Sequence, residues 1–196
     1  MRKRDTCKEE TVKAKAIEML VADGFEGFSM NKLARACGIS VATLYIYYRD
    51  KDHLIVSIGN EKFKEMSESI LGNFDPELDF EAGMRIQWEN RYRFMVDRPA
   101  VTRLLEQFRN SGYQQQVMPE LAEAFKKTMG AFIHNAVRRG EIEEMSLETY
   151  WCIAFAPLYA LMRFHEEGRN MAGRPFRMTE TTLWQTFSLV MKAMKR

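Results

Sequence analysis

Apolar residues recur along this chain at intervals of three and four, and the spacing predicts a succession of helices. Val12, Ala16, Ile17, Leu20 and Val21 give the inner face of a first helix, Thr6 to about Asp23, stopped by Gly24. Met30, Leu33, Ala34 and Cys37 then fall at i, i+3, i+4 and i+7 behind Ser29, a residue suited to capping. After the break Cys37-Gly38-Ile39, Ser40 caps a second short helix from Val41 to about Tyr47. Between Asp50 and roughly Leu71 the period continues through Leu54, Ile55, Ile58, Phe63, Met66 and Ile70. That helix is long enough to connect two domains, so a movement of its far end would reach Lys51. Asp75 as cap and Pro76 at the first helical position start a helix to about Val96, and Arg98-Pro99 starts a shorter one ending near Ser111-Gly112. Val117 to Arg139 reads as a long helix ended by Gly140, with Met118 and Leu121 on its apolar face and Pro119 in its first turn. Ser146 caps Leu147 to about Glu167, and Thr179 caps Glu180 to about Lys195. No strand pattern, repeat or low-complexity tract interrupts the series, which predicts an all-α fold of about nine helices.

The two short helices and their three-residue, glycine-containing turn read as a helix-turn-helix. Leu44 and Ile39 can hold the second helix to a core, while Val41, Ala42 and Tyr45 lie on another arc and Thr43 and Tyr47 share a third. Such a surface suits a helix entering the DNA major groove: Ala42 leaves room for close approach, Tyr45 reaches a base edge, and Thr43 and Tyr47 bond phosphates. Alternatively, Tyr45, Tyr47 and Tyr48 simply pack a small domain. Asp50 can cap the next helix, placing Lys51 in its first turn, where the helix dipole disfavours a cation unless an anion is near. A DNA phosphate would be that anion; a solvated surface lysine is the other reading.

The run Ser29, Leu33-Ala34, Cys37-Gly38-Ile39-Ser40, Ala42-Thr43-Leu44-Tyr45, Tyr47-Tyr48, Lys51 and Leu54 resembles the DNA-binding domain of TetR-type transcriptional regulators, over about Thr6 to Ile55. The resemblance implies a homodimeric repressor whose helix-turn-helix leaves a double-stranded DNA operator when a small molecule binds the C-terminal domain. Its usual contacts fall on Thr43, Tyr47 and Lys51 for phosphate and on Asn31, Val41, Ala42 and Tyr45 for the groove, with Ser40 at the helix start beside them. Cys37 stands where the family more often has glycine or alanine, and Ala42 where glycine is common. The division that follows is a DNA-binding domain over residues 1–55 and a ligand-binding and dimerisation domain over 56–196.

In the second part, TYWCIAFAPLYALMRF is apolar nearly all the way round. It is too short, and too interrupted by Pro157 and Arg163, to span a membrane. Its own core on one face and a second subunit on the other would cover it, which predicts a homodimer through the last two helices; a monomer whose other helices cover both is the alternative. Trp88, Tyr92, Phe108, Phe125, Met129, Phe132, Phe155 and Tyr159 lie on helices expected to face one another, punctuated by Gln87, Arg91, Arg163 and His165. Together with Arg91 these aromatics outline a pocket for a largely hydrophobic, aromatic or anionic effector, or else they pack a core. His165 reads as a helix-end histidine rather than a ligand contact.

Composition narrows the classes. The formal net charge is only +2 over 196 residues. Residues 1 to 52 hold 10 Lys and Arg against 8 Asp and Glu, so the whole excess sits in the DNA-binding part. That favours a few placed cations over non-specific coating of nucleic acid. Cys7, Cys37 and Cys152 are widely spaced and predict reduced thiols in a cytoplasmic protein, with no metal site or cofactor. Arg2, Lys3 and Arg4 lack a following apolar segment, so no signal peptide is expected; they form either an arm toward DNA or a solvated terminus. His53, His134 and His165 are scattered, HEEG is not a zincin motif, and neither a phosphate loop nor a GxSxG elbow is present, so nothing calls for an enzyme. Two readings remain: a ligand-responsive DNA-binding repressor, and a helical carrier or enzyme in which the helix-turn-helix is only a structural cap.

Overall fold

The computed structural model describes residues 6–117 and 119–196. Its helices are α1 (Thr6–Gly27), α2 (Met30–Ala36), α3 (Val41–Tyr47), α4 (Lys51–Ile70), α5 (Phe80–Asp97), α6 (Pro99–Arg109), α7 (Gln114–Val117), α8 (Pro119–Arg138), α9 (Leu147–Ala154), α10 (Ala156–Glu167) and α11 (Glu180–Met194). The fold is all-α: among the described residues β-pairing is confined to two isolated bridges, Ile142 with Lys195 and Arg169 with Pro175. No described helix is long and apolar enough to cross a membrane. The expected Arg2-Lys3-Arg4 arm, Met118, and the side chains of Cys7 and Leu121 lie outside the described residues.

Among the described residues eleven helices stand where about nine were expected, for local reasons. Pro157 has no N–H for the carbonyl four residues back, and its ring collides with that turn. The expected helix over 147–167 therefore breaks at Phe155 (φ −127°, ψ −28°) into α9 and α10. Residues 114–117 form a separate short turn, α7, before α8. The helix expected from Pro76 begins instead at Phe80. The Asp75 carboxylate accepts from the Glu77 N–H and makes a turn, while Asp79 is the working cap, accepting from the Ala82 N–H at 2.9 Å. Gly24 (φ 68°, ψ 178°) leaves helical geometry as expected, but the chain resumes a helical turn through Gly27. The remaining caps act as read: Ser29, Ser40, Ser146 and Thr179 each accept from the backbone N–H three residues on.

The chain packs as two compact units. One runs to Ser67 and takes in Asp97–Ala122; the other comprises Glu68–Val96 and Glu123–Arg196. In the first, α1 packs on α2 and α6, and α2 on α3. Gly59 of α4 admits the Phe108 ring and Val117 so closely that a Cβ there would lie 2.6 Å from Val117 Cγ1 and 2.8 Å from Phe108 Cζ. In the second, Phe132 of α8 stacks on Phe80 at 5.7 Å between ring centroids, and Trp88 of α5 meets Phe187 of α11 edge-on at 5.5 Å. Gln87 and Asn90 donate to the Ile70 carbonyl, and Asn90 also to that of Gly72, closing the end of α4. His165 Nδ1 accepts from the Met178 N–H at 3.1 Å, so its place at the end of α10 is structural.

Gly83 of α5 is the tightest packing constraint in the second unit, because a Cβ there would sit 2.4 Å from Phe132 Cε2. Gly83→Ala is expected to destabilise by about 1–3 kcal/mol through overpacking. Gly130→Ala, where nothing lies within 4 Å of the new carbon, should instead stabilise α8 by up to about 1 kcal/mol. Denaturant unfolding of the two variants beside the parent checks the difference in sign.

Candidate nucleic-acid interface

The interface is built from the burial of a few side chains. In α2, Leu33 (0% exposed) and Ala34 (2%) face inward. Cys37 ends the helix, its N–H donating to the Leu33 carbonyl, and the Ile39 N–H reaches back to Ala34 at 3.0 Å. Gly38 turns the chain at φ 64°, a conformation a side chain would resist. Ser40 Oγ then accepts from the Thr43 N–H and lies 2.8 Å from the Thr43 hydroxyl. From α3 a single side chain, Leu44, is buried. The outward surface is Ala42, Tyr45 (52% exposed) and Ile46 (69%), with Val41, Thr43 and Tyr47 half-buried at its flanks. Asn31 is exposed in the first turn of α2.

Tyr48 packs inward, as the alternative reading of the three tyrosines had it: it is 2% exposed, its ring 6.1 Å from the His53 ring. Ile46 was missed by sequence reasoning. Its signal was its place four residues after Ala42, on the same helix face. A seven-residue helix that shows a tyrosine and an isoleucine to solvent presents an apolar and hydrogen-bonding surface narrow enough for a groove roughly 12 Å wide.

At the start of α4, the Asp50 carboxylate accepts from the His53 N–H at 2.7 Å and pairs with Arg49 at 2.8 Å. Hydrogen bonding from the His53 N–H first, and from the Arg49 side chain second, holds the Asp50 carboxyl below the usual carboxylate range. Lys51 is half-buried in the first turn, and among the described residues no carboxylate pairs with it. Its neighbour Asp52 is engaged elsewhere in the first unit, accepting from the Tyr113 hydroxyl at 2.5 Å. Burial, and next that bond, push the Tyr113 phenol above its ordinary range.

The residues expected to line a pocket divide. Phe108 lies in the first unit, where Gly59 leaves room for its ring between Phe25, at 4.9 Å, and Phe63, at 6.2 Å; it does not join the others. Trp88, Arg91, Tyr92, Phe125, Met129, Phe132, Phe155 and Tyr159 are all in the second unit. Of these, Trp88 and Phe132 are fully buried core, the Trp88 indole N–H donating to the Ala154 carbonyl at 2.8 Å. Arg163 is exposed.

Phe125 and Met129 of α8, with Ile133, Trp151, Leu147 and Cys152, wall a groove of about 680 Å³, with Lys126, Gly130 and Glu148 completing its lining. The Phe125 and Trp151 rings lie 5.6 and 5.5 Å from the Arg91 guanidinium, and Phe155 is 4.1 Å from it. Arg91 is 2% exposed and donates to the Tyr159 hydroxyl at 3.0 Å and to Gln87 Oε1 at 3.2 Å, while its Nε–H has no acceptor. No carboxylate among the described residues pairs with it. Removing such a cation from water costs several kcal/mol; two bonds to neutral acceptors, at about 1 kcal/mol each, and one ring face, at about 0.5–2 kcal/mol, offset only part of that.

Residues 14–58 match the family model for bacterial regulatory proteins of the tetR family. An HTH-type transcriptional regulator of Haemophilus influenzae, itself uncharacterised, is 23% identical over 150 residues, covering 74% of this chain and 76% of that protein. The crystal structure of a TetR family transcription regulator from Marinobacter aquaeolei VT8 superposes with a TM-score of 0.80 at 25% identity, over 100% of this chain and 99% of that one. A TetR-family transcriptional regulator from Haemophilus influenzae Rd shares the fold at a TM-score of 0.75 and 18% identity, over 100% of both chains. The capped α2–α3 pair lies inside the residues that match the tetR-family model, and the likeness in fold to these regulators extends over the whole chain.

Proposed function

We propose that the protein is a homodimeric repressor that binds a palindromic operator through two copies of α3 and is released by a small, largely hydrophobic effector. The observation that carries this reading is the outward surface of α3: a helix anchored by Leu44 alone that leaves Ala42, Tyr45 and Ile46 exposed. In this reading Asn31, Val41, Ala42 and Tyr45 face the groove. Thr43, Tyr47 and Lys51 hold phosphates, and Ser40 fixes the start of the helix. The Lys51 ammonium and the first backbone N–H groups of α4 then address one phosphate, which offsets the dipole's unfavourable effect on a cation at that end. Residues 1–55 carry DNA binding, and residues 56–196 carry effector binding and dimerisation.

Two α3 helices about 34–36 Å apart, or a multiple of a turn, would read the two half-sites. The pairing surface is the face of α10 and α11, where the apolar side chain of Leu189 is 60% exposed. An effector that binds better to a dimer whose recognition helices are wrongly spaced for the groove shifts the population away from DNA in proportion to that preference.

Genomic fragments selected by the purified protein, then titrated at two salt concentrations, test the reading. Tight binding at dimer stoichiometry that falls steeply with salt is expected; weak binding indifferent to sequence would refute it. Lys51→Ala should lower the slope of log K against log salt by about one. Tyr47→Ala should weaken binding about tenfold or more, ~1.4 kcal/mol, with an unchanged circular dichroism spectrum. Leu189→Glu should shift sedimentation toward the monomer, and operator binding should fall with it.

A further inference from the structure

Among the described residues Arg91 is the one charged side chain that is buried in a core, and none of their carboxylates pairs with it. A guanidinium has five N–H donors in a planar fork. Two are taken by Tyr159 and Gln87, both neutral, which leaves the Nε–H and further N–H groups on the terminal nitrogens. That remaining geometry is what a carboxylate or similar oxyanion accepts in bidentate fashion. Phe125 and Trp151 stand against this cation and also wall the apolar groove of about 680 Å³ between α8 and α9.

We infer that this groove takes an amphiphilic monoanion, its apolar body lying on Phe125, Met129, Ile133 and Trp151 and its oxyanion paired with Arg91. The inference rests on the effector-binding part of the proposed function and gives the effector its chemical class. A neutral apolar occupant would satisfy the groove wall and leave the Nε–H of Arg91 as it is. An anion satisfies both. The exposed rim carries Lys126 and Glu148, of opposite sign, so selection for charge falls to Arg91. Because Arg91 is 2% exposed, the oxyanion reaches it only when the Phe125 or Trp151 ring turns aside. Both rings are half-buried, and Trp151 is stacked on Tyr159 at 5.8 Å. Binding therefore replaces ring contacts on α8, α9 and α10 with an ion pair.

Calorimetry with two matched pairs, decanoate with decanol and naphthoate with naphthylmethanol, tests this on the full chain. At least one acid should bind about thirtyfold or more tightly than its alcohol. Arg91→Met should bring the pair level, and Arg91→Lys should keep part of the difference. Equal affinity of acid and alcohol in the parent protein, which needs no variant, overturns the inference. So does an acid affinity untouched by Arg91→Met, or failure of both acids to bind at millimolar concentration. Adding the ligands to the operator complex separates the two readings. An acid that binds through Arg91 without loosening DNA leaves the anion site standing and removes effector release. Release of DNA by the alcohols as readily as by the acids does the reverse.

Discussion

Seven residues are too few to hold a helix in water, so α3 persists because its neighbours hold it. Leu44, with no exposed surface, fixes the helix to the core, and the Ser40 side chain satisfies the Thr43 N–H at the open end. The Ala34 carbonyl, reached by the Ile39 N–H, sets the angle of entry. Because so few groups do the holding, the others are released from packing. Ala42, Tyr45 and Ile46 therefore lie exposed on a well-fixed backbone, the condition for a surface that must meet a rigid groove without rearranging. Had α3 been longer or buried on two sides, the protein would have gained stability and lost that surface.

The first unit carries this constraint further than three helices. Gly59 lets Phe108 and Val117 approach α4, and Tyr113 binds Asp52 beside Lys51. The start of α4 is thus held from three directions: by Asp50 at its cap, by Tyr113 at Asp52, and by Leu54 and Ile55 in the core. The backbone that carries its first-turn cation, Lys51, is thereby fixed. In the second unit the exceptional group is Arg91, a charge kept among aromatic rings at a cost the neighbouring residues only partly offset. Residual cost of this kind is common where a protein binds something its own chain does not supply.

Most of the helices were legible along the chain because their causes are local. Caps act over three residues and apolar stripes repeat over three and four, so α2, α3, the start of α4 and α11 could be read directly. The misreadings were local as well. Asp75-Pro76 read as the start of α5, but the cap is four residues on, where the Ala82 N–H is bound to Asp79. Pro157 announced an interruption that the strongly apolar run around it concealed.

Partnership across long separations was not legible. Phe108 and Phe125 look alike as aromatics on helix faces, yet Phe108 packs beside Gly59 in one unit while Phe125 lines a groove in the other. Arg91 and Tyr159 are 68 positions apart, and nothing near Arg91 in the chain foretells a guanidinium bonded to neutral groups and held against Phe155. Periodicity and capping are decided by neighbours a turn away, so residue order alone establishes the helices, the helix-turn-helix and the family resemblance. Which side chains close over one another depends on how the helices pack, and that packing alone separated core aromatics from groove aromatics and left Arg91 with neutral partners and an unsatisfied Nε–H.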